Sequence, residues 1–202
     1  MVGSYQTKLE EIAAHKEIDL TVVVPPYWQE QGHRLVLERA HTAGYELIVA
    51  PLAFNGSFHT HFYPTLASIL RRSRPDICHI DEEPYNLATY LALRAARRLG
   101  ARTLFFTWQN LLRRYPPPFR QLEAYVYRHT DGALAGNHQA MQVLRDKGYQ
   151  GPVQVVPQFG VDADIFRPSE RPAGERPFMI GYAGRLVPEK GVDVLLEAVA
   201  QL

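Results

Sequence analysis

Arg185 and Lys190 stand in the stretch GYAGRLVPEKGVDVLLEAVA, residues 181 to 200, where a turn runs into an amphipathic helix. Free backbone N–H groups and the helix dipole at such a place favour an anion, and a phosphate or diphosphate is the natural guest. The plainer reading is a pair of solvated charges in a surface turn, since Lys and Arg are mostly exposed. Three carboxylates, Asp81, Glu82 and Glu83, follow the apolar run DICHI and invite a general-base reading. Carboxylates adjacent in sequence diverge, however, whereas a hydrolytic pair must flank one bond at about 5 to 9 Å. They are read instead as a helix-start acidic cluster or, for Asp81 and Glu82, as contacts to ligand hydroxyls. Trp108, Gln109 and Asn110 follow the run TLFFT. An indole can stack on an apolar face of a ligand and the two amides can bond hydroxyls. A Trp packed under its loop with a helix-capping Asn is the alternative. His59 and His61 have the period-two spacing that would place both rings on one side of a strand, as a metal pair needs. No third ligand lies nearby in sequence, so no metal is expected and a loop contact or surface placement is preferred.

These residues need elements to position them. Leu9, Ile12 and Ala13 recur at helical spacing between Tyr5 and Lys16, and DLTVVV (19 to 24) is a β-branched run closed by Pro25 and Pro26. Residues 34 to 54 read as two extended segments around Ala43 and Gly44, the second of them, ELIVA, a core strand. Beyond the loop NGSFHTHFY the alternation is regular: helix 64 to 72, strand 76 to 80, helix 85 to 99, strand 103 to 107, helix 119 to 129 and strand 133 to 135. A helix capped by Asn137 and ended by Gly148 then leads to strand 153 to 157. Short apolar strands alternating with helices imply an α/β, doubly wound parallel sheet, whose ligands bind at the carboxyl ends of the strands. Residues 167 to 177, RPSERPAGERP, read as a linker, and FMIGYAG (178 to 184) as the strand that opens a second domain.

With 46% hydrophobic and 21% charged residues, the 202-residue chain is neither a disordered tail nor a disulfide scaffold. Its formal net charge of +1 excludes a strongly basic nucleic-acid binder, so no nucleic-acid partner is expected. Cys78 is the single cysteine and reads as a small buried hydrophobe, which fits a reducing compartment. No run approaches the roughly 20 apolar residues of a membrane span and the N-terminus lacks an apolar signal core, so the reading is cytoplasmic. Arg113, Arg114 and Arg120 mingle with Tyr115, Phe119 and Tyr125, and further arginines crowd two helix ends. Such a surface suits either solvated helix termini or peripheral contact with anionic lipid at the inner face of the membrane.

The segments VVPQFGVDADIFRP (155 to 168) and IGYAGRLVPEKGVDVLLEA (180 to 198) resemble two linked motifs of the family-four glycosyltransferases. The resemblance implies the GT-B fold of two facing Rossmann-like domains and a retaining transfer from a nucleotide-diphosphate sugar to a hydroxyl acceptor. It implies that Arg185 and Lys190 grip the donor diphosphate and that Gly3 and Ser4 lie where the family's N-terminal glycine loop meets donor and acceptor. Asp81, Glu82, Trp108, Gln109 and Asn110 then become acceptor or sugar contacts. The acceptor is a carbohydrate or lipid-linked molecule, and neither a cofactor, a metal nor a protein nucleophile is called for. Where the family often carries a histidine in a "T-x-H-D"-like stretch, this chain has Thr107, Trp108, Gln109 and Asn110. On this reading residues 1 to 166 form the acceptor-side domain without its first strand, expected just ahead of Gly3. Residues 178 to 202 then form the first βα unit of the donor domain, lacking the family's later "E-x-x-x-x-x-x-x-E" carboxylates. The chain is thus expected to be an incomplete part, inactive alone. The rival expectation is a non-catalytic glycan- or nucleotide-binding module, or half of a split enzyme.

Overall fold

A computed structural model of the chain describes residues 3–30, 32–168 and 178–201. It divides into two compact units, Met1–Val161 and Asp162–Leu202. The expected strand ahead of Gly3 and most of the expected linker lie outside the described residues.

In the larger unit a single 3-10 turn, Gly3–Tyr5, leads into helix α1, Thr7–Ala13. Strand β1 (Thr21–Val24) is followed by an antiparallel hairpin of β2 (Tyr27–Glu30) and β3 (His33–Val36), and then by β4 (Glu46–Val49), which pairs parallel with β1. The hairpin departs from expectation, because only its second strand was anticipated as extended. Tyr27–Glu30 is half-buried along its whole length, so it shows no in-and-out alternation, and its pairing with β3 is what makes it a strand.

From here helices and strands alternate as expected: α2 (Leu66–Ser73), β5 (Ile77–Ile80), α3 (Leu87–Arg97), β6 (Arg102–Thr107), α4 (Phe119–His129), β7 (Gly132–Ala135), α5 (His138–Asp146) and β8 (Val153–Val155). Strands β5, β6, β7 and β8 form one parallel sheet in that order, so the unit is Rossmann-like. The side chain of Asn137 accepts from the Ala140 N–H and caps α5, and Gly148, at φ +91°, ends it. Helix α3 buries Ala88, Thr89, Ala92, Leu93 and Ala96, a small-residue stripe at helical spacing that lets it lie close on the sheet. The core is Ile80, Leu93, Phe105, Val126, Leu144 and Tyr149, with the rings of Phe105 and Tyr149 edge to face at 5.7 Å. Burying an aromatic or Leu side chain contributes about 1.5 to 3 kcal/mol, so this cluster holds the four strands together. Cys78 packs against it, and burial pushes its thiol up to about 11, leaving it inert near neutrality. Outside the core, α2 and α3 carry Arg71, Arg72, Arg94 and Arg97, with Arg74 and Arg98 directly beyond their ends. Segments 64–75 and 87–101 contain no acidic residue.

The smaller unit holds a 3-10 turn, Pro188–Lys190, and helix α6, Val192–Val199. Residues 178 to 183, expected as a strand, have no ladder partner among the described residues, and extended backbone without a partner is not a strand. No residue of α6 is buried, and Val194 and Leu196 face outward. A helix this short gains little from propensity alone and depends on packing an apolar face. Amide exchange in α6 is therefore expected near the rate of an unprotected peptide, while β6 is strongly protected. Equal protection of the two in monomeric protein would contradict this account.

Candidate functional site

Parallel strands deliver the residues that follow them to a single edge of the sheet. Asp81 follows β5, Trp108 follows β6, Gly136 follows β7 and Gln158 lies just beyond β8. Three of them are joined by hydrogen bonds. The Gln158 amide donates to Asp81 Oδ1 at 2.8 Å, and the Trp108 indole N–H donates to Gln158 Oε1. Lys8 of α1 reaches the other Asp81 oxygen at 3.4 Å and lies 5.1 Å from the centre of the Phe159 ring, which stacks on Tyr5 at 4.1 Å. The Trp108 indole lies directly on Gly136, where an added Cβ would come within 2.5 Å of the ring. Trp108 remains 43% exposed, so one part of its surface is free to stack on a ligand.

The three consecutive carboxylates diverge. Asp81 turns to Lys8 and Gln158. Glu82 accepts from Asn86 Nδ2 at 2.9 Å and faces His61 Nε2 at 3.1 Å. Glu83 accepts from the Thr107 hydroxyl at 2.6 Å and from the Trp108 N–H at 2.8 Å, fastening the start of the 108–118 loop. Burial raises the Glu83 pKa despite those two bonds. No two of these carboxylates converge on one bond, as a hydrolytic pair must.

Gln109 is turned inward. Its amide donates to the Tyr115 hydroxyl at 3.2 Å and accepts from Lys147 at 2.9 Å, whereas Asn110 is exposed. Gly3 is buried against the 38–40 segment and its N–H donates to the Glu38 carboxylate, while Ser4 is exposed. Beside them the fully buried Gln6 accepts from the Ala40 and His41 N–H groups and donates to the Glu38 carbonyl.

The two histidines do not form a pair. The 57–62 stretch is not a strand, so period-two spacing has no common face to act on. His59 lies among Tyr85, Tyr115 and Phe119, with ring centroids 5.0 to 5.8 Å away. His61 is 3% exposed, with Nδ1 2.9 Å from the Ser57 carbonyl and Nε2 on Glu82. Both ring nitrogens thus face acceptors, an arrangement that suits the imidazolium. Burial works against that charge, but the hydrogen bond and negative charge of Glu82, with the backbone carbonyls, outweigh it and the pKa is raised.

In the smaller unit, Arg185 and Lys190 are both exposed, and no carboxylate pairs with either among the described residues. The Arg185 carbonyl accepts from the Tyr182 hydroxyl and the Val187 N–H, and Gly191, at φ +60°, turns the chain into α6. The edge of the larger unit also involves Lys8, Gly136 and Gln158, which sequence reasoning did not assign to it, and the buried His61, for which surface placement had been one expectation. Gln158 lies inside VVPQFGVD, residues 155 to 162, and that motif is its local sign. The Lys8 and Gln158 partnerships with Asp81 span 73 and 77 residues, beyond the reach of local pattern.

Among proteins of known family, the model for Glycosyltransferase Family 4 matches residues 7–165. A D-inositol 3-phosphate glycosyltransferase of Stackebrandtia nassauensis is 34% identical over 98 residues, a match covering 43% of this chain and 22% of that protein. The chain thus spans about a fifth of that relative's length. No solved structure is a significant match.

Two outcomes are expected from this geometry. The folded pKa of His61 lies above its unfolded value of about 6.5, so its stabilisation is fully present below that pH and is lost as pH rises through the folded value. His61→Gln is expected to flatten this part of the stability profile; an unchanged profile would assign the dependence elsewhere. Gly136→Ala is expected to cost about 1 to 3 kcal/mol by overpacking and to red-shift Trp108 emission in a Trp28→Phe background. Unaltered emission would mean that the indole does not rest on this glycine.

Proposed function

Because the chain belongs to Glycosyltransferase Family 4, we propose that it serves a retaining transfer of a sugar from a nucleotide-diphosphate donor to a hydroxyl acceptor, within a two-domain GT-B arrangement. The observation that carries the acceptor half is the bonded row Trp108, Gln158, Asp81 and Lys8 along the carboxyl edge of the parallel sheet. Such an edge offers an aromatic face for an apolar sugar surface, and Asp81, Glu82 and Asn110 beside it bear acceptor oxygens for hydroxyls. Gly3 and Ser4 lie close by in sequence to Tyr5 and Lys8 and belong to the same proposed edge. Gln109 contributes from beneath, by holding the loop.

Arg185, Lys190 and the free N–H groups at the start of α6 supply the donor half. Two cations and a helix N-terminus match a diphosphate, and they neutralise the charge that grows on the leaving group as the glycosidic bond to phosphate breaks. In this proposal the departing phosphate takes the acceptor proton on the same face, so no side chain is assigned as nucleophile or general base. No cofactor or metal enters it. The acceptor is a carbohydrate or a lipid-linked molecule, and a phosphorylated cyclitol is a further candidate because of the relative's name. The proposal places the protein in the cytoplasm with peripheral contact at the inner membrane face. Among the described residues, no helix is long and apolar enough to cross a membrane.

A non-catalytic binding module would use the same residues without transfer. Calorimetry with nucleoside diphosphates tests the donor half directly. Arg185→Ala and Lys190→Ala are each expected to weaken binding by about ten- to a hundredfold, since a charge-assisted contact contributes roughly 1.5 to 3 kcal/mol. Affinities within about threefold of the parent would remove the diphosphate assignment. Diphosphate binding without sugar transfer to any hydroxyl acceptor, inositol phosphates included, when the chain is joined to a complete donor domain would favour the module.

A further inference from the structure

Lys147 lies outside every motif noted in the sequence. At the end of α5, beside a glycine, it has the look of a solvated lysine complementing a helix dipole. The fold buries it instead, leaving its side chain 7% exposed and that of its partner Glu123, on α4, 9% exposed. The ammonium donates to Glu123 Oε1 at 2.6 Å and to Gln109 Oε1 at 2.9 Å, and it lies 4.9 Å from the centre of the Tyr115 ring. The Gln109 amide closes the circuit by donating to the Tyr115 hydroxyl, and Tyr115 stacks on Tyr85 at 4.1 Å. Tyr127 donates to the same Glu123 oxygen that receives the lysine.

This arrangement couples the core to a surface loop. A lysine has three N–H donors, and here one meets a carboxylate, one meets the loop's Gln109 and the cation also faces the loop's Tyr115. If the loop lifted, a buried ammonium would lose two of its three interactions, a large penalty in a medium of low dielectric. The loop therefore has one strongly preferred position. Glu83 and Gln158 fasten Trp108 at its start independently, so what Lys147 governs is the stretch from Gln109 to Tyr115, which carries the exposed Asn110.

The geometry points to Lys147 as a positioning residue: through Gln109 and Tyr115 it fixes the 109–115 loop, and with it Asn110, at the acceptor edge of the site. The inference rests on the proposed acceptor role of that edge, but its test uses no ligand and so fails or succeeds separately.

Limited tryptic cleavage of the full chain at Arg113 and Arg114, exposed residues in the middle of the loop, is the measurement. In Lys147→Met, cleavage there is expected to accelerate about tenfold or more, while β6 keeps its amide protection. Because that variant strands a buried carboxylate, Gln109→Leu serves as a second probe; it breaks only the loop's end of the circuit and leaves the Lys147–Glu123 pair in place. The same local acceleration is expected. Val143→Ala, a core truncation on the same helix, is the control: a purely structural effect would raise cleavage at arginines across the larger unit without singling out the loop. Parent-like cleavage at Arg113 and Arg114 in Gln109→Leu, or acceleration in Lys147→Met that spreads evenly over the arginines of α3, α4 and α5, would overturn the assignment.

Discussion

Three carboxylates in a row cannot point the same way, and that constraint organises the sheet edge. Asp81 reaches toward the N-terminal helix and the segment after β8. Glu82 reaches the 57–61 loop through His61, and Glu83 takes the segment after β6. One short turn after β5 thus ties together pieces of chain that are far apart in sequence. Mutual repulsion within the trio is relieved because each member has its own donors. The same divergence argues against acid–base chemistry by any two of them, and the bonds they make hold structure.

Much of the larger unit was legible because its physics is local. Period-3.6 stripes such as Ala88, Leu93 and Ala96, β-branched or aromatic runs such as 103 to 107, and the Asn137 cap each declare their element within a few residues. The hairpin strand Tyr27–Glu30 did not, since a strand half-buried on both faces has no alternation to read. The segment 178 to 183 shows the complementary case: it has the composition of a strand, but a strand exists only with a partner, and none is present among the described residues. Site residues divide in the same way. That Asp81, Trp108 and Asn110 lie just beyond strand ends was legible from the alternation of strands and helices. The places of Lys8 and Lys147 were not, because a lone Lys carries no local sign of its distant partner.

The edge as folded is largely preassembled. Gln109, Glu83 and Gly3 are committed to internal bonds, and the groups left facing outward are the Trp108 ring, Asn110 and the partly open carboxylates of Asp81 and Glu82. A ligand meeting such an edge need not order it, which lowers the entropic cost of binding. Shape complementarity comes from rigid pieces: an indole seated on a glycine, and an amide bridge between two strand ends.

The arginine face of α2 and α3 has a consequence for how copies of the molecule treat one another. With a formal net charge of +1, the protein is nearly neutral as a whole, yet six arginines sit on two helical segments that contain no acid. The rest of the chain is therefore net acidic in formal charge, and the arginines form a like-charged cluster on two helical segments. Such a cluster on one copy attracts acidic surface on another at low ionic strength. Salt at about 0.1 M, with a screening length near 10 Å, weakens that attraction, so self-association through these helices is expected to fall as salt is added.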